Sequence, residues 1–345
     1  MAVTTRSASG ARPASSRRAV VVVAAVCLVA AVTIALLELI ARVYGYQPRR
    51  AAVRPEPGIH APDPVLGWRP IPGEYRFGPY SPGGATAQVT ILPDTSRRTG
   101  PDAAPGRPLV VLVGCSFTFG WAVSDDETWA RRPQELRPDV QVVNHGVGGY
   151  GTFQSLLVLE QLLGRDGERP ARVLYGFIDH SWRNVAAPIW LRMLSYTEQT
   201  VATPYCTLTP DGHLERHPPA ASPSLPLHDR LASVAALENA WLWRQAGPRQ
   251  PMAQRVTELL LNEMVRLCQA HGLGFSMVLL SVPDRLAATY VAYGRAHGID
   301  VIDCNQQPGA DDIVPGEAHP NGRLHRRWGE CIGAALAEPK RLPPP

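Results

Sequence analysis

The sequence predicts an α/β protein, a parallel sheet covered by helices on both faces, with one membrane-spanning helix ahead of it. Three observations lead there. From Arg107 onward, short Val-rich runs alternate with helical patterns. A serine flanked by glycines follows the first of these runs directly, in Gly114-Cys115-Ser116-Phe117-Thr118-Phe119-Gly120. The nineteen residues 19–37 carry no charge, close to the roughly 20 that a membrane helix requires.

Residues 1–18 are rich in Ser, Ala and Arg without periodicity and read as a disordered tail. The apolar run is too long for a signal peptide and lacks a small-residue cleavage site, so residues 19–41 read as an uncleaved anchor. Arg6, Arg12, Arg17 and Arg18 precede it and Arg42, Arg49, Arg50 and Arg54 follow it. The basic-residue rule is therefore nearly balanced; a short tail before a large domain favours the domain outside. Residues 42–105 are rich in Pro, Gly and Arg and read as a linker with a small irregular segment. Within it 67–70 and 88–92 suit short strands packed on the main domain.

The main domain spans 106–338, before a Pro-rich tail at 339–345. Strands are expected at 110–113, 140–143, 173–178, 275–280 and 301–302, and helices at 128–136, 152–163, 254–270, 285–297 and 324–337. Residues 185–250 read as a long irregular insertion. The chain of 345 residues has a net charge of +4 and 34 prolines. It contains no basic cluster with interleaved aromatics, which gives no indication of a nucleic-acid partner.

A serine nucleophile needs a base to take its proton and a carboxylate to orient that base. Glu317-Ala318-His319-Pro320-Asn321 offers both from one loop just before the last helix. Asp312 is a second candidate acid. In Asn144-His145-Gly146-Val147-Gly148-Gly149-Tyr150-Gly151, Gly146, Gly148 and Gly151 satisfy the spacing of a dinucleotide-binding turn. No strand ends in an acid about 20 residues on, where a ribose would be held, the next strand ending only at Asp179; glycine amides facing a developing oxyanion, or a plain tight turn, are the alternatives.

The serine turn, the Asn-x-Gly-x-x-Gly-Tyr-Gly-Thr block and the late His-Pro-Asn together resemble the SGNH (GDSL-like) hydrolase superfamily, in particular its membrane-anchored bacterial members. The resemblance covers about 105–338. It implies a flavodoxin-like three-layer α/β/α sandwich, Ser116 as nucleophile and His319 as base, with Glu317 as the acid. It also implies an oxyanion hole built from the Ser116 amide, a glycine amide matched best by Gly149 (Gly148 being next) and a third-block asparagine. Three positions depart from the pattern. Cys115 stands where an aspartate is usual. The asparagine is missing, leaving His180 or Asp179 at its place and Asn184 farther along. Glu317 replaces an aspartate. The implied activity is a serine esterase acting on O-acyl esters, of a small molecule or an envelope glycan, without metal or organic cofactor. An O-acyltransferase using the same site, or a non-catalytic tethered glycan-binding module, is the alternative.

Other residues have structural readings. Cys115 is expected to be a buried small hydrophobe turned away from Ser116. The six cysteines form no C-x-x-C and suggest no zinc site. Cys27 lies in the apolar run; Cys206, Cys268, Cys304 and Cys331 are free to pair in an exported domain. His145 reads as a packing residue, Asp303 as the end of a strand, and Trp241 and Trp243 as packing or substrate-lining. His325, Arg326 and Arg327 are expected on the solvated face of the last helix.

Overall fold

The computed structural model describes residues 14–49, 58–100, 106–165, 169–179, 181–186, 190, 202–221 and 224–338. The chain forms two compact units, 1–50 with 224–241, and 51–223 with 242–345.

The first unit is built on α1 (Ala14–Val43), 30 residues long. It extends beyond the expected 19–41 at both ends. Its segment Arg17–Val43 is long and apolar enough to cross a membrane, and its valines and leucines stand exposed. The first turns of α6 (Ala232–Ala246) belong to the same unit.

The second unit holds five parallel strands: β5 (Leu109–Gly114), β6 (Gln141–Gly146), β7 (Arg172–Ile178), β10 (Gly274–Ser281) and β11 (Asp300–Asp303). Their order is β11-β10-β7-β5-β6. Counted along the chain that is 2-1-3-4-5, the flavodoxin-like doubly wound order, whose switch point lies between β5 and β7. Side chains alternate across the sheet. Val111, Val113, Tyr175, Phe177, Met277 and Leu279 pack with α4 (Thr152–Leu163), α7 (Ala253–Ala270) and α8 (Asp284–His297). Val110, Leu112, Val142, Leu174, Val278 and Leu280 pack with α9 (Gly322–Leu336). In α9 the stripe Leu324, Trp328, Ile332, Leu336 repeats every fourth residue and is fully buried. The result is the three-layer α/β/α sandwich.

Four expectations are corrected. The helix expected over 128–136 is only α3 (Arg131–Leu136), preceded by a tight turn at Asp125–Glu127. Pro133 has no amide to give and is tolerated only in a first helical turn. The insertion is not wholly irregular. Strands β8 (Ala202–Leu208) and β9 (Leu214–Ala221) form a hairpin whose turn uses Gly212 at φ 82°, and α6 follows. His325 is buried, not solvated. It sits beside the α9 stripe, and its Nδ1 accepts the Trp129 amide at 3.2 Å. Arg326 does face solvent. Finally, Trp243 is exposed apart from its edge contact with Trp182, so it packs little.

Ahead of the sheet, β1 (His60–Asp63) pairs with β2 (Gly67–Pro70), and β3 (Gly73–Phe77) with β4 (Ala87–Ile91). Ile59, Phe77, Val89 and Ile91 pack these hairpins onto Phe119 of the serine turn. Cys304 and Cys331 form a disulfide between the end of β11 and α9. Cys206 and Cys268 are unpaired and buried, and burial pushes each thiol up to about 12.

Candidate active site

Strand β5 ends at Gly114, and the chain turns at once into a single helical turn, α2 (Ser116–Phe119). Cys115 is its N-cap, accepting the Phe117 amide on Sγ at 3.3 Å. Gly120 ends it in the left-handed conformation at φ 80°. The carbonyl of Ser116 accepts the amides of Gly120 and Trp121 at 2.9 and 3.0 Å. Ser116 is thus the first residue of the turn, at the carboxyl end of the strand beside the switch point, and 5% exposed.

Three glycines in register make the turn possible. Gly114 lies opposite Gly146 on one neighbouring strand and Gly176 on the other. A Cβ at Gly176 would sit 2.1 Å from Thr118 Oγ1, and one at Gly146 would sit 2.6 Å from the Phe119 amide nitrogen. The α2 backbone therefore rests on a floor without side chains. The glycine-rich block has the same close-packed use: Gly148 lies under the Trp121 ring and Gly151 against Asn184. Its shape is explained by this packing, and nothing in it requires a dinucleotide.

The turn is held from its C-terminal side by Arg97, a residue the sequence reading passed over. Arg97 is 1% exposed. It donates to the carbonyls of Phe119 at 2.8 Å, of Gly120, and of Val123 at 2.6 Å, and pairs with Asp125 at 3.1 Å. The Phe119 and Gly120 carbonyls lie at the end of this helical turn, where carbonyls lack intrahelical partners, and Val123 lies in the loop beyond it. No local pattern marks this residue, because its partners lie more than twenty residues away.

His319 is presented by a folded loop. Pro320 bridges Ile313, and the Val314 amide donates to the His319 carbonyl at 2.9 Å. Asn321 caps α9 by accepting the amides of Arg323 and Leu324. Glu317 Oε1 lies 2.7 Å from His319 Nδ1, and Glu317 Oε2 accepts the His319 backbone amide at 2.6 Å. Gly316, at φ 82°, passes so close to the Tyr80 carbonyl that a Cβ would be 2.1 Å from it. The His319 ring meets Phe117 edge-on at 5.8 Å between centroids, and Trp121 at 6.1 Å. This places the imidazole over the serine turn. Asp312 is engaged elsewhere, with Arg323 and Arg327, each at 2.8 Å. Those arginines hold its carboxyl down at about 2.

Gly149 follows β6 in the left-handed region at φ 84°, in a turn closed by the Tyr150 amide on the Val147 carbonyl. The Val147 amide in turn donates to the Gly114 carbonyl, tying this block to the serine turn. Asp179 is exposed at the end of β7 and accepts from Ser181. His180 lies outside the described residues. Asn184 ends the single helical turn α5 (Ser181–Asn184) and is buried: its amide group donates to Thr152 and Thr257 Oγ1, and its Oδ1 accepts the Phe153 amide. It joins two helices and does not face Ser116.

Cys115 is fully buried, and burial pushes its thiol up, partly opposed by Arg183, the amides of Phe117 and Thr118, and the Ser116 side chain. Its sulfur therefore interacts with Ser116 instead of turning away, and it is a thiol, not a thiolate. His145 is buried, which lowers its pKa to about 4. No group of three or more metal-ligating side chains occurs among the described residues.

No protein-family model matches the chain, and no curated protein matches it. Solved structures do. A member of the lipolytic G-D-S-L family from Veillonella parvula is 13% identical, covering 67% of this chain and 98% of its own, at a TM-score of 0.38. The psychrotrophic esterase EstA from Pseudoalteromonas sp. is 12% identical, covering 67% and 99%, at 0.38. The esterase AlinE4 is 12% identical, covering 70% and 100%, at 0.35. Among the solved structures to which this chain is similar are therefore a lipolytic protein of the G-D-S-L family and an esterase of the SGNH-hydrolase family.

Proposed function

We propose that the chain is a membrane-anchored serine esterase acting on O-acyl esters, with Ser116 as nucleophile, His319 as base and Glu317 as the orienting acid. The observation that carries this reading is the Glu317–His319 pair seated over the serine turn. With Nδ1–H donated to Glu317, the imidazole keeps Nε2 unprotonated and available as a base.

In this mechanism Nε2 takes the Ser116 proton as Oγ bonds to the ester carbonyl carbon. The carbonyl electron pair moves onto oxygen, which the amides of Ser116 and Gly149 stabilise. The intermediate collapses, the C–O bond to the alcohol breaks, and His319 returns the proton to the leaving oxygen. Water activated by the same imidazole then hydrolyses the acyl-enzyme. No step needs a redox partner. The Cys304–Cys331 disulfide supports an oxidising compartment, in line with the anchor and a domain outside the cytoplasm. An acylated envelope glycan is the substrate class that this location favours.

The test is labelling by a fluorophosphonate and turnover of short-chain aryl esters by the detergent-solubilised full chain, beside Ser116→Ala. Both signals are expected to vanish in the variant. Equal inertness of two folded proteins would remove the hydrolase reading.

A further inference from the structure

Glu38 is the first charged residue after nineteen uncharged ones. At 1.5 Å per residue that run is about 28 Å long, against about 30 Å for a bilayer core. Glu38 therefore marks the edge of the hydrocarbon if α1 spans a membrane. At this edge its carboxylate caps α6. Oε1 accepts the Ala232 amide at 3.0 Å, and Oε2 accepts the Ser233 amide and hydroxyl at 2.9 Å each. Eleven residues on, Arg49 pairs with Glu238 at 2.7 Å, both side chains being buried. The start of α6 is thus clamped once to the last turns of α1, through Glu38, and once to the segment that follows it, through Arg49.

The outer face of α6 is unusual for a helix facing water. Its sequence ASVAALENAWLWRQA holds only two charged residues. Glu238 is turned inward and paired, and Arg244 lies near the far end. Leu237 is 62% exposed, Ala240 is exposed and Trp241 is half-buried. In the same unit, Leu39, Ile40, Val43 and Tyr44, which follow Glu38 in the chain, and Leu227 are also exposed. A helix exposed to water normally carries its charges on this side. Leucine and tryptophan with a flanking arginine are what a headgroup boundary accommodates.

We propose that the outer face of α6 lies in the headgroup–acyl boundary of a phospholipid bilayer, beside the point where α1 leaves it. The proposal rests on α1 being the membrane anchor. The attachment of the first turn of α6 to Glu38, where the uncharged run of α1 ends, is what selects lipid as the occupant over a second protein.

The test uses the full chain with Cys27→Ala, reconstituted into phosphatidylcholine–phosphatidylglycerol vesicles. One added cysteine, Leu237→Cys, Ala240→Cys or Val29→Cys, carries an environment-sensitive fluorophore, the remaining free thiols Cys115, Cys206 and Cys268 being buried; the variant without an added cysteine is the labelling blank. At 237 and 240 the expected result is blue-shifted emission, quenched more strongly by nitroxide near the headgroup than by nitroxide deep in the acyl chain. At 29 the deep nitroxide is expected to quench more. Water-like emission at 237 and 240, with lipid quenching at 29, overturns the docking of α6 while leaving the anchor intact. Blue-shifted emission at 237 and 240 without lipid quenching assigns the face to protein and also overturns it. Loss of lipid quenching at 29 removes the anchor and the proposal together.

Discussion

Glu317 holds His319 at two points, with one carboxylate oxygen 2.7 Å from Nδ1 and the other 2.6 Å from the backbone nitrogen of the same residue. The two-residue spacing lets one side chain set both the tautomer of the ring and the conformation of its loop.

Glu317→Gln is expected to lower kcat by about 10²–10⁴-fold with little change in KM, because the wrong tautomer is favoured. Glu317→Asp retains more activity but loses the second contact. Steady-state turnover of aryl esters checks both. A fully active Glu317→Gln enzyme would take this residue out of the mechanism.

Gly176→Ala places a Cβ 2.1 Å from Thr118 Oγ1. The cost is expected to be about 1–3 kcal/mol of stability, with turnover reduced because the serine turn is lifted. Adding Thr118→Ala removes the clashing oxygen and recovers most of the loss. Urea unfolding of the single and double variants reads the coupling; strict additivity would contradict the floor described here.

Arg97→Met deletes the donor to three carbonyls and leaves Asp125 without its buried partner. A loss of about 3–5 kcal/mol is expected, together with esterase activity. Lysine cannot reproduce the planar fork, so Arg97→Lys is expected to rescue neither. Thermal unfolding and turnover measured side by side decide, and a fully functional lysine variant refutes the role.

Burial holds His325 at about 3, well below about 6.5 for an unfolded chain. Below pH 6.5 the unfolded state takes up the proton first. The stabilising contribution is therefore complete above pH 6.5 and declines toward pH 3, by up to about 1.4 kcal/mol per unit. His60 and His145, both lowered to about 4 by burial, add to the loss between pH 6.5 and 4. The measurement is urea unfolding at pH 5 and 7.5. His325→Gln keeps an acceptor for the Trp129 amide and is expected to flatten the dependence; an unchanged slope would exclude His325.

The Cys304–Cys331 disulfide closes a loop across a separation of 27 residues. Its removal by Cys331→Ala is expected to cost about 3–4 kcal/mol, read as a lower denaturation midpoint. No change in midpoint would mean that the bond is not formed in the purified protein.

The five strands were legible because a strand buried on both faces is a short apolar run. The loops carrying Ser116, Gly149 and the Glu317–His319 pair stood out because turns concentrate glycine, proline and asparagine. Pairing within one loop was legible for the same reason: Glu317 and His319 are two residues apart. Arg97 was not legible, since its contacts with Phe119, Gly120 and Val123 cross from one segment to another. His325 looked solvent-facing beside two arginines, yet the rotation of α9 on the sheet turns it inward.

By itself the sequence determined the chain order of the five parallel strands and of the helices between them, and which residues occupy the serine, glycine and histidine turns; the hairpin and helix within 185–250 were not read from it. What it determined follows from local chemistry: apolar periodicity, backbone freedom and the missing amide of proline. Only the tertiary structure decided that Gly114, Gly146 and Gly176 stand in register beneath Thr118, that Arg97 closes the serine turn, and that Cys304 meets Cys331. Each of these depends on the spatial order of the strands, and strand order is set by packing both faces of the sheet at once.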